Sequence, residues 1–279
     1  MPRGRGEVRI HSSRVKRTRP GLDVPALALV LTTALLPRPA AAQTDEIQVY
    51  DAGIAERGRF NLTWHNNFTP AGLTTPAFPG ALIADDSWNG VPEWAYGARD
   101  WFEAGLYLPL YSVAKKGPQD GASAVLDGFK VRLLFVAPHA DARRFFYGAN
   151  FEFSVNAKHW DSARFTSEVR PIVGWHLGRV DVIVNPILDT AYDGLKNLDF
   201  APATRIAYNW TKAWATALEE YDDFGPVHQF RPADEQSHQL YAVVDHAAGF
   251  LHVEAGVGFG LTKGSDRLTL KLILSCDLN

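Results

Sequence analysis

Sulfur is nearly missing from this 279-residue chain, which has one cysteine and one methionine. With Cys276 alone, no internal disulfide can form. With Met1 as the only thioether, copper sites built on methionine are excluded. Beyond residue 43 there is no run of 18 apolar residues and no helical periodicity sustained over three turns. Helical membrane spans and a helical domain are thereby excluded. A basic surplus is missing as well: 28 Lys/Arg stand against 31 Asp/Glu. Nucleic acid is not an expected partner.

What the chain does have begins at its N-terminus. Residues 1 to 20 carry seven basic side chains, and an apolar run, "VPALALVLTTALL" from Val24 to Leu36, follows. "PRPAAAQ" then offers the small-residue pattern Ala40-x-Ala42. A basic region, a short apolar core and such a site predict a secretory signal peptide over 1–42. Those residues hold eight of the Lys/Arg and two of the Asp/Glu, so the formal charge without them falls from −3 to −9. The next stretch, 43–57 ("QTDEIQVYDAGIAER"), reads as a periplasmic lead-in or an inward plug.

From residue 58 to 279 the recurring period is two, the signature of strands with unlike faces. Twelve segments can be drawn, from "RFNLTWHNNF" (Arg59 to Phe68) to "RLTLKLILSCDLN" (Arg267 to Asn279). In "GFKVRLLFVA", Phe129, Val131, Leu133 and Phe135 oppose Lys130 and Arg132; in "RFFYGANFEFSVN", Phe151 and Phe153 oppose Glu152. In "RFTSEVRPIVGWHL", Val169 and Val173 oppose Glu168 and Arg170. "WATALEEY" and "HQLYAVVDH" choose no face cleanly. Most odd-numbered connections are long and most even ones tight, leaving both termini on the tight-turn side. An even strand count with that alternation predicts a transmembrane, antiparallel, up-and-down β-barrel of about 12 strands in a bacterial outer membrane, with lipid around it. A soluble β-sandwich is the alternative. It would need a second sheet to cover the apolar face. Pro109, Pro171, Pro186 and Pro202 fall inside proposed strands and predict bulges or strand ends there. The last segment is expected to close the barrel against the first. It ends Leu278-Asn279, without the terminal aromatic that the barrel assembly machinery reads.

"FNLTWHNNFTPAGL", "NGVPEWAYGARDWFEAGLYLPLY", "LEEYDDFGPV" and "GVGFGLTKGSDRLTLKL" together resemble a group of bacterial outer-membrane proteins labelled the meta-pathway of phenol degradation family. The resemblance spans most of the chain after residue 43. It implies an outer-membrane barrel that admits small aromatic or other apolar compounds, with no catalytic residues attached.

The histidines show no metal-ligand spacing, and adjacent strand residues such as Ser237-His238 point apart, so neither a metal, a cofactor nor an enzyme is expected. Asp85-Asp86 and Asp222-Asp223 are placed in outer loops. The expected lining of a solute pathway is Tyr107 and Tyr111 with the charged set Lys130, Arg132, Glu152, Glu168, Arg170, Arg205, Glu254 and Lys271. Three functions follow: a channel for a small-molecule solute, a structural or adhesion barrel with a blocked lumen that acts through its outer loops, or a barrel hydrolase.

Overall fold

The computed structural model describes residues 46–115 and 123–278. The expected signal peptide, residues 43–45 and Asn279 lie outside these. Twelve strands make the wall. β1 is Phe60–Ala71 and β2 is Ser87–Arg99. β3 runs Phe102–Tyr107 and resumes over Tyr111–Ala114. β4 is Ser123–Leu126 with Phe129–Val136, β5 is Phe145–Val155 and β6 is Phe165–Leu177. β7 joins Val180–Asn185 to Leu188–Thr190, and β8 joins Asp199–Phe200 to Ala203–Asn209. β9 is Trp214–Asp223 with Gly225–Pro226. β10 is Ser237–Ala248, β11 is Leu251–Gly260 and β12 is Leu268–Leu278.

Every strand pairs antiparallel with its sequence neighbour, and β12 returns to β1 with Phe60 opposite Leu278 and Phe68 opposite Leu270. The sheet is closed, so no edge is left with unpaired backbone groups. The fold is the twelve-stranded antiparallel barrel expected from the period-two pattern.

Of the four prolines expected to mark bulges or strand ends, three sit at strand breaks: Pro109 between the halves of β3, Pro186 in β7 and Pro202 in β8. A residue with no N–H to give ends a ladder there. Pro171 stays inside an unbroken β6, opposite Ala149.

The two faces differ strand after strand. On β12, Thr269, Lys271 and Ile273 are at most 5% exposed, whereas Leu270 and Leu272 are 37% and 38% exposed. The exposed face is apolar and aromatic, the surface a bilayer takes. Its rings gather at two levels. Phe60, Tyr96, Trp175, Trp210 and Trp214 lie near the tight turns, and Trp88, Phe153, Phe165 and Phe259 near the long loops. Such girdles anchor at the two membrane–water interfaces. The tight turns (100–101, 178–179, 249–250) share one end with the start of β1 and the end of β12.

Asp222 and Asp223 belong to β9 rather than to an outer loop, and the third connection is shorter than its sequence suggests because β3 and β4 extend into it. The two segments without a clear face also resolve. Ala217 and Glu219 of β9, with Gln239, Tyr241 and Val243 of β10, point inward, and Leu218, Leu240 and Val244 point outward. Apolar residues on both faces erased the contrast.

Candidate functional site

The barrel interior is occupied. Residues 46–57 have no strand or helix of their own. They run inside the wall, with Ile47, Val49, Tyr50, Ala52 and Ala55 all buried. At the tight-turn end the segment passes over Gly97, where a β-carbon would sit 2.3 Å from the Ala55 carbonyl oxygen. Only glycine permits that approach.

Wall side chains bind the segment's backbone. Asn185 Oδ1 accepts from the Tyr50 N–H at 2.7 Å, and Asn185 Nδ2 donates to the Tyr50 carbonyl at 3.0 Å. Arg170 Nη1 donates to the Gln48 carbonyl at 2.9 Å, and Lys271 Nζ to the Ile47 carbonyl at 3.3 Å. Glu103 Oε2 accepts from the Ala55 N–H at 2.5 Å. Apolar contact adds to this: Leu134, Phe146, Ile172 and Ile183, turned inward from four strands, pack with Val49, Tyr50 and Ala52.

Two ionic groups fill the rest of the cross-section. In the first, Arg132 pairs with Glu93 at 2.5 Å and with Glu103, while His65 Nε2 lies 3.3 Å from Glu93. Lys130 lies 3.7 Å from Glu152, and Arg170 grips Glu168 through Nε and Nη2 at 2.6 and 3.0 Å. Tyr50 stands between the guanidinium groups of Arg170 and Arg132, 4.6 and 5.4 Å from its ring centre, and shares a 2.7 Å hydrogen bond with the Tyr107 hydroxyl. In the second, Arg205 meets Glu219, Asp245 and Glu254, and Lys271 meets Glu219 and, at 2.6 Å, Glu254. Charges taken from water stay ionised only when paired this closely.

Nine of the ten residues expected to line a pathway therefore face the interior: Tyr107, Lys130, Arg132, Glu152, Glu168, Arg170, Arg205, Glu254 and Lys271. Tyr111 does not. Glu93 faces Tyr107, but Gly90 faces Tyr111, a slip of one residue across the Pro109 break that moves the inward phase from odd to even positions. Ser112 and Ala114 are the buried ones beyond it. The Tyr111 ring lies outside over Gly90, donating to Asn66 Oδ1 at 2.6 Å and accepting from Trp64 Nε1 at 3.1 Å. Sequence reading missed Glu46, Tyr50, His65, Glu93, Glu103, Asn185, Glu219 and Asp245, nearly half of the network. Glu93 and Glu103 lie opposite Tyr107 and Gly97 on the β2–β3 hairpin, and their alternation with the outward Trp94 and Leu106 was the available signal.

Above the segment, toward the long loops, a cavity of about 310 Å³ opens, floored by Glu46, Ile47 and Gln48. Burial, with Glu152 nearby, pushes the Glu46 carboxyl up to about 7, against the pull of Arg170.

No family model and no curated protein sequence matches the chain. Solved structures do. The COG4313 outer membrane channel from Pseudomonas putida F1 superposes with a TM-score of 0.58 over 84% of this chain and 100% of its own, at 12% identity. The KdgM porin reaches 0.50 over 78% and 99%, at 8% identity. This chain has the fold of a bacterial outer-membrane β-barrel.

Proposed function

We propose that the protein is an outer-membrane channel for small solutes, held closed by residues 46–57. One observation carries this. The segment that fills the lumen contributes no strand to the wall and is bound through side chains, so it can leave without breaking a ladder pair. Behind it stands a wall lined by charges, which supports a water-filled path once the segment moves. The two solved structures above are described as a channel and a porin, and this supports the same reading.

The resemblance to the phenol-degradation family adds a solute class, aromatic or apolar. Phe78, Trp160 and Tyr221 in the cavity wall are the rings that would meet it. A hydrolase has less to rest on: His238 lies between Asp222 Oδ1 at 2.5 Å and Gln236 Oε1 at 3.0 Å, with neither nitrogen on a hydroxyl. The blocked-lumen reading draws on the same segment. If the segment never leaves, the barrel serves only as a scaffold for its outer loops. Liposome swelling separates the two. Vesicles carrying the protein should swell in isosmotic small solutes, and vesicles that stay as tight as protein-free ones would contradict a channel.

A further inference from the structure

The outer cavity has an uneven charge. Seven carboxylate residues line it, Asp189, Asp199 and Asp223 among them, against three cations, Lys130, Arg170 and Arg231. Each cation already has a carboxylate partner, Arg231 within the cavity lining itself. Arg231 lies 2.8 Å from Asp223 and 3.6 Å from Asp199, Arg170 holds Glu168 bidentately, and Lys130 lies 3.7 Å from Glu152.

Glu46 is the second, independent observation. Its side chain is 0% exposed and lies at the cavity floor, yet neither carboxylate oxygen accepts a hydrogen bond among the described residues. The Arg170 Nη1 that faces it is 4.0 Å away, beyond hydrogen-bond distance, and donates to the Gln48 carbonyl instead. A buried carboxylate left this way calls for a donor. The carboxylates do not converge into a metal site: no group of three or more His, Cys, Asp or Glu that could hold an ion occurs among the described residues. Trp160 and Tyr221 add aromatic faces, which attract organic cations.

We infer that the outer cavity binds a small organic cation, an ammonium group donating to Glu46 and a few carbons of its body lying against Trp160 and Tyr221. This rests on the channel reading and gives that channel a cationic solute in place of the aromatic or apolar class that the family resemblance implies. Asp189 flanks the same space and draws the cation in from the loops.

The test is calorimetry on the full chain in detergent at about pH 8, above the value of about 7 to which Glu46 is raised, with putrescine as the probe and succinate as its anionic counterpart. Folding of each variant is checked first by heat-modifiable gel mobility. Putrescine should bind and succinate should not. Glu46→Gln should weaken putrescine about tenfold, the worth of one charge-assisted hydrogen bond. Asp189→Asn should weaken it as well, while Asp234→Asn, on the outer loop, leaves it unchanged. Absence of putrescine binding by folded protein, equal binding of succinate, or an unaltered affinity in Glu46→Gln would overturn the inference. Failure of the channel reading looks different: binding persists while vesicles remain impermeable.

Discussion

Tyr50 and Asn185 bind each other as two strands would, the backbone of one and the side-chain amide of the other exchanging hydrogen bonds of 2.7 and 3.0 Å. Asn185 sits fully buried on β7, just before the Pro186 break, so its amide cannot turn to water. Replacing it with Leu leaves a buried N–H and carbonyl unsatisfied, at about 1–3 kcal/mol each. Asn185→Leu should expose residues 46–57 to protease while the barrel keeps its heat-modifiable mobility. Equal cleavage rates in the two proteins would count against the docking described here.

Arg132 neutralises two buried carboxylates, Glu93 and Glu103. Arg132→Ala strands both and should destabilise the barrel by about 3–5 kcal/mol in urea unfolding. Combining Arg132→Met with Glu93→Gln and Glu103→Gln removes the charges together and should restore most of that loss. A triple variant no more stable than Arg132→Ala would show that the pairing is not the cause.

Glu46 gives the closed state a pH dependence. Docked, its carboxyl titrates at about 7; released into water it returns toward 4.5. Docking therefore favours the protonated form. Its contribution is complete below 4.5, declines as pH rises toward 7, and stays low above that. Protease sensitivity of the segment should rise between about pH 5 and pH 8, and Glu46→Gln should flatten the profile. A rise of the same size in Glu46→Gln would assign the effect to another group.

Tyr111 and Tyr107 make a matched pair of tests. Tyr111→Phe loses two outer-face hydrogen bonds, to Asn66 and Trp64, and should cost about 1 kcal/mol of stability with no change in permeability. Tyr107→Phe loses the bond to Tyr50 and should loosen the segment, raising conductance. Altered ion selectivity in Tyr111→Phe would return that residue to the lumen.

Much of the wall was legible because a bilayer enforces alternation: every outward residue meets lipid, so Lys130, Glu152, Arg170 and Lys271 could be placed from their neighbours alone. The interior was less legible. Period-two reading takes the inside to be polar, but an inserted segment with Val49 and Tyr50 brings Leu134, Phe146 and Ile172 inward as its seat. Phe146, flanked by Phe145 and Tyr147, carries no contrast to read. Tyr111 failed for a local reason, since one residue slipped at Pro109 reverses every later assignment on that strand.

The central claim is that residues 46–57 close an otherwise passable barrel, and planar-bilayer conductance tests it most directly. The account predicts low or intermittent conductance from the full chain, and steady, larger conductance from a variant lacking residues 46–57. The same low conductance from both proteins, each shown to be folded, would contradict it.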